Sequence, residues 1–251
     1  MTVAMTTLPL SSKPILLLAV GAVAAVIAFG TAQFLRGPTP MLASLPEMAA
    51  APVTLPDGAP LYVQRYEVTL SEWQRCHDAG ACSLALRGRA DLDPATTPAT
   101  GLSYMDAAEY LRWINDATGH EFRLPTASEW EHMARPVLPH GADPIFTDPS
   151  LQWASSYLTE GLAPRALRPQ GSFATSPEGI ADLDGSVWEW TQECYAGAEA
   201  GIDAERCPAY FVGGEHVSAM SFLIRDPARG GCAVGAPPAH LGMRLVSDEP
   251  V

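Results

Sequence analysis

The sequence predicts an α+β domain with little regular structure, preceded by one membrane-spanning helix. Three observations carry this reading. A charge-free apolar run lies near the N-terminus, three helix starts are marked by capping residues, and the remainder is rich in Pro and Gly with only short, scattered apolar runs. A chain of 251 residues has room for one substantial domain plus appendages.

The apolar run, Pro14 to Leu35, holds 22 residues without a charge between Lys13 and Arg36. At about 1.5 Å per residue it reaches roughly 33 Å, enough to cross a hydrocarbon core of about 30 Å. Residues 1–13 are thereby read as a cytoplasmic tail and 14–36 as a signal anchor. Cleavage at Gly30-Thr-Ala32 is the competing reading and would leave a soluble periplasmic protein. Residues 37–60, rich in Pro and Ala, read as a tether, and 61–248 as the folded domain. All five cysteines follow the apolar run. Cys76 and Cys82 bracket one short loop and Cys194 and Cys207 another. Disulfides of this kind belong in an oxidising compartment, which places the domain in the periplasm of a bacterium, on the outer side of the cytoplasmic membrane. Cys232 is left over.

Tyr62 to Val68 alternates as a strand. Thr69 and Glu72 then form a capping box, in which each side chain satisfies an otherwise orphaned backbone N–H, and the helix they open ends near Gly80. Ser103 opens a longer helix with Ala107, Tyr110, Leu111 and Ile114 on one face and Gly119 as its stop. Thr126 and Glu129 open the next, which Pro136 ends. Helices on a loop-rich mixed sheet make the α+β architecture.

Charge excludes some partners. Without residues 1–36 the body carries 13 arginines, no lysine and 28 acids, a net charge of −15. Nucleic acid and anionic membrane surfaces would be repelled.

Several separated segments resemble the formylglycine-generating-enzyme (sulfatase-modifying-factor) family. They are Glu67-Val-Thr69, Thr118-Gly119, Arg123-Leu-Pro-Thr-Ala-Ser-Glu-Trp130, Gly185-Ser-Val-Trp-Glu-Trp190 and Gly242-Met-Arg244, in the family's order over residues 61 to 246. The resemblance implies that family's variant of the C-type-lectin-like fold. In its enzymes two cysteines hold copper(I) and convert a substrate cysteine to formylglycine. Counted from Gly213-Gly214, those two positions are Ser218 and Leu223 here. Neither a hydroxyl nor an alkyl group replaces a soft thiolate on copper(I), so the resemblance implies a non-catalytic branch without copper. A remodelled oxidative or copper-handling site around Cys232, His216 and His240 is the alternative.

The resemblance also implies one structural calcium, held by the side chains of Asp182 and Glu189 and the carbonyls of Gly185 and Val187. The competing reading makes Asp182 and Glu189 hydrogen-bonded turn residues. Within the family, the Cys76-x5-Cys82 pair and the tail Ile224 to Cys232 most resemble accessory proteins encoded with copper nitrite reductases in denitrifying bacteria (the NirV type). That resemblance implies a membrane-tethered assembly role with a periplasmic protein partner, possible partners including a copper nitrite reductase.

Overall fold

Three helices begin where the capping residues place them. α1 spans Leu70–Asp78, α2 spans Tyr104–Thr118 and α3 spans Ala127–Ala134. Each start is a reciprocal box: Thr69 with Glu72, Ser103 with Asp106, and Thr126 with Glu129. Gly119 closes α2 in the left-handed conformation, at φ 72°. The computed structural model describes residues 45–138, 145–148, 151, 166–195, 207–214, 217–226 and 240–251, all within one unit, Pro40–Val251. Residues 14–36, read as a signal anchor, lie outside the described residues. Among the described residues no helix is long and apolar enough to cross a membrane.

Among the described residues, seven short strands form two sheets. β1 (Val53–Thr54), β2 (Pro60–Val63) and β7 (Val246–Ser247) make an antiparallel sheet in the order β1-β2-β7. β3 (Trp188–Tyr195), β4 (Ala209–Gly213), β5 (Val217–Ser221) and β6 (Leu241–Gly242) make the other, in the order β5-β4-β3-β6. Only the β3–β6 pair is parallel among these. The α+β class holds, with three helices and only short strands among the described residues.

Two expectations are corrected. The tether does not extend to Pro60, because from residue 45 the chain packs on the domain. Val53 is buried in β1, Met48 bridges Gln64, and the Ala49 N–H donates to the Val63 carbonyl. The strand expected over 62–68 runs instead from Pro60 to Val63. Beyond it the carbonyls of Gln64 and Arg65 accept from the Arg244 guanidinium, so the regular ladder stops.

The larger core gathers Trp73, Tyr110, Ile114, Leu102, Trp190 and Met243 between α1, α2 and the four-stranded sheet. As expected, Ala107, Tyr110 and Ile114 form the buried face of α2, with Leu111 half-buried beside them. A second core packs Trp130 and Met133 of α3 against Leu61, Val63, Leu183 and Val246. Both short cysteine loops close as disulfides, Cys76–Cys82 and Cys194–Cys207.

Candidate functional site

Three separated sequence segments meet at Glu189. The Arg244 guanidinium donates to its carboxylate at 2.7 and 3.0 Å, and the Trp130 indole N–H donates to it at 2.9 Å. Strand β3 supplies the acid, the C-terminal segment the base and α3 the indole. Glu189 and Arg244 are 1% and 0% exposed. An ion pair this deep survives only if its remaining donors are also satisfied. Arg244 meets that demand by donating to the carbonyls of Gln64, Arg65 and Ala181.

Glu67 completes the cluster, and nothing in the sequence marked it as a site residue. Its Oε2 lies 3.7 Å from Arg244 Nη2, beyond hydrogen-bonding distance, and has no hydrogen-bond partner among the described residues. Burial pushes the Glu67 carboxyl up to about 8, against the pull of Arg244 and with further push from the charges of Glu189 and Asp182. One guanidinium thus faces several buried acids. The signal for Glu67 was its place in Glu67-Val-Thr69, which reads as a register mark until the tertiary structure brings it beside Arg244.

Asp182 sits in the loop before β3 with φ 67°, a left-handed conformation that Asp tolerates through local hydrogen bonds. Its two carboxylate oxygens accept the N–H groups of Gly171 and Phe173 at 2.5 and 2.8 Å. Gly185 follows, donating to the Asp182 carbonyl, and Val187 is buried ahead of β3. All four carboxylate oxygens of Asp182 and Glu189 therefore accept hydrogen bonds. This is the turn-and-core arrangement of these residues. Arg244 supplies the compensating charge at Glu189.

Close approach explains the paired glycines. A Cβ on Gly213 would lie 2.0 Å from the Trp130 ring, and one on Gly214 would lie 2.4 Å from the Trp188 ring. The two indoles stack onto bare backbone at the edge of β4.

Ser218 and Leu223 occupy contrasting places. Ser218 pairs with Val212 across β4 and β5, is 0% exposed, and has no hydrogen-bond partner for its hydroxyl among the described residues. Leu223, in the turn after β5, is 66% exposed. That turn is fixed to the start of α2: the Tyr104 N–H donates to the Phe222 carbonyl, and Arg225 clamps Asp106 through two 2.7 Å bonds. Burial raises the Asp106 carboxyl, but the bonds from Arg225 and Ser103 outweigh it and hold it below the usual range. Of the other candidate residues, His216 and Cys232 lie outside the described residues. The His240 carbonyl accepts the Trp188 N–H.

The fold and this buried cluster define a small mixed α/β domain whose signature residues build its centre rather than an open cleft. The chain belongs to the family described as Sulfatase-modifying factor enzyme 1-like domain, whose model matches residues 24–249. It is 27% identical over 222 residues to the formylglycine-generating enzyme of Mycobacterium tuberculosis strain H37Rv, covering 72% of this chain and 69% of that protein. Among solved structures it is similar to PvdO from Pseudomonas aeruginosa, at 19% identity and a TM-score of 0.49 over 80% of this chain and 92% of that one. Variable protein 1 of Treponema denticola is similar at 16% identity and a TM-score of 0.47, covering 80% of this chain and 95% of the other.

Proposed function

We propose that this chain is a non-catalytic member of its family: a membrane-tethered periplasmic accessory protein that presents the scaffold to a protein partner, of which a copper nitrite reductase in denitrification is the leading candidate. The observation that carries the reading is the pair Ser218 and Leu223. At the positions that the family resemblance assigns to the two copper-binding cysteines stand a buried hydroxyl and an exposed alkyl side chain. Neither supplies the soft thiolate that copper(I) requires. The 22-residue apolar run supports the tether, and two disulfides in the body support an oxidising compartment.

The deciding experiment is elemental analysis of the full chain, purified in detergent from an oxidising compartment without added metal or chelator. It is paired with an assay for formylglycine on a cysteine-containing substrate peptide with copper(I) and oxygen. The expected outcome is no stoichiometric copper and no aldehyde product. Copper near one per chain, lost in Cys232→Ser, would replace this reading with a remodelled oxidative or copper-handling site around Cys232, His216 and His240. Calcium near one per chain, lost in Glu189→Gln, would keep the scaffold reading. It would also mean that Asp182 and Glu189 exchange their present donors for the ion, with the Gly185 and Val187 carbonyls joining them.

A further inference from the structure

An irregular strap runs from Leu84 to Pro98 between α1 and α2, and it borders a partly open cavity of about 420 Å³. Leu70, Leu86, Leu92, Pro98 and Leu167 supply apolar wall, and the ionisable residues at the lining are Arg87, Arg89 and His240. A second cavity of about 300 Å³ lies across Leu86 and Gly88, lined by Leu70, Gln74, Arg75, Asp78 and Pro94 among others.

The walls are fixed before any ligand arrives. At one end of the strap the Trp73 indole donates to the Leu84 carbonyl, and the Ser83 N–H donates to Glu109. At the other end the Leu70 and Ser71 N–H groups donate to the carbonyls of Thr97 and Pro94. The Gln170 N–H donates to the Thr96 carbonyl and pins the opposite wall, which carries Leu167. Between those anchors Gly88 lies close against Leu70: a Cβ there would come within 3.3 Å of the Leu70 side chain.

Charge identifies the occupant. The whole chain is acidic, at −13, yet among the described residues no acid lines the 420 Å³ cavity. Arg89 is held by Asp91 through bonds of 2.7 and 3.1 Å. Arg87 is exposed and has no ion-pair or hydrogen-bond partner among the described residues. An unpaired cation at the edge of a leucine-lined, preformed cavity suits an apolar molecule with one anionic end. We propose that this cavity binds a small amphiphilic carboxylate, with its apolar body among the leucines and its carboxylate on Arg87. The inference does not rest on Ser218 or Leu223, neither of which lines the cavity; His240 alone is shared with the alternative copper-handling site.

Isothermal titration calorimetry of the full chain in a non-ionic detergent tests it, with decanoate as probe, decanol as its neutral counterpart and inorganic phosphate as an anion without an apolar body. Saturable decanoate binding is expected, with at least a tenfold preference over both controls. Arg87→Glu should weaken it about tenfold, while Arg112→Glu, on the outer face of α2, should leave it unchanged. Equal affinity for decanoate and decanol, no saturable decanoate binding, or an Arg87→Glu variant that binds as well as the parent would each overturn the proposal. Both substitutions are at surface arginines, and an unchanged melting temperature confirms that the variants fold.

Discussion

Glu189 and Arg244, 55 residues apart, form a fully buried ion pair that joins strand β3 to the C-terminal segment. Around it the Trp130 indole and three backbone carbonyls complete the hydrogen bonding. Burial pulls the Arg244 guanidinium down, but the charges of Glu189 and Glu67 more than reverse this and hold it above the ordinary arginine value.

Removing either partner should therefore cost far more than a surface ion pair. Arg244→Met leaves Glu189 and its acidic neighbours uncompensated, and the expected loss is about 3–5 kcal/mol. Urea denaturation measures it. The double variant Arg244→Met with Glu189→Leu should recover part of that loss, since the Glu189 charge is then no longer stranded. A double variant as unstable as the two single losses added together would show that the pair does not act as a unit.

Glu67 makes stability fall as pH rises. Its carboxyl ionises near pH 8 in the folded chain and near 4.5 when unfolded. Between these values the folded state holds a proton that the unfolded state has released. Stability is thus lost from about pH 4.5 up to about pH 8, by an amount on the order of 5 kcal/mol. Glu67→Gln should flatten that slope, raising the melting temperature at pH 8 and leaving it nearly unchanged at pH 4. Equal shifts at both pH values would contradict the protonation state assigned here.

At low pH the opposite sign appears. Hydrogen bonds from Arg123 hold Asp248 below its usual range, and at Glu129 burial's upward push is outweighed by bonds from Arg123 and Thr126. Their stabilisation is present above the unfolded carboxylate range and is lost as pH falls through the depressed values. Arg123→Ala should remove the part of acid destabilisation that these two acids cause, read from melting temperatures between pH 5 and pH 2.

Gly213→Ala should be costly although the change is one methyl group. The new Cβ meets the Trp130 ring at 2.0 Å, and Trp130 is itself held to Glu189. Overpacking of this kind costs about 1–3 kcal/mol, and trypsin cleavage near residue 135 should speed up as α3 loosens. Gly80→Ala offers a contrast. That position has open space but a positive φ of 73°, so its cost comes from backbone strain alone.

Placing thiolates at Ser218 and Leu223, where the family resemblance puts the copper-binding cysteines, tests the proposed accessory reading directly. Ser218→Cys with Leu223→Cys should create copper(I) affinity measurable by chelator competition, and each single variant should not. Copper binding by the parent chain at the same strength would mean that the metal chemistry resides elsewhere.

The three capping boxes, the Gly119 stop and both disulfide loops were legible in the sequence, because each depends on residues a few positions apart whose partners are local. So was the family, whose signature segments keep their order along the chain. The role of those segments was not legible. Trp130, Glu189 and Arg244 could be read as a cap neighbour, a metal ligand and an end marker, and only the fold brings them to one buried point. Residues 45–60 misled for the same reason. A two-residue edge strand has no periodicity to read, and its place is decided by pairing with β2 and packing against α3. Glu67 is the clearest case: its ionisation depends on burial and on Arg244, 177 positions away. Sequence alone determines what neighbouring residues can do for one another; desolvation and long-range charge belong to the tertiary structure, which decides which acids and bases share a low-dielectric interior.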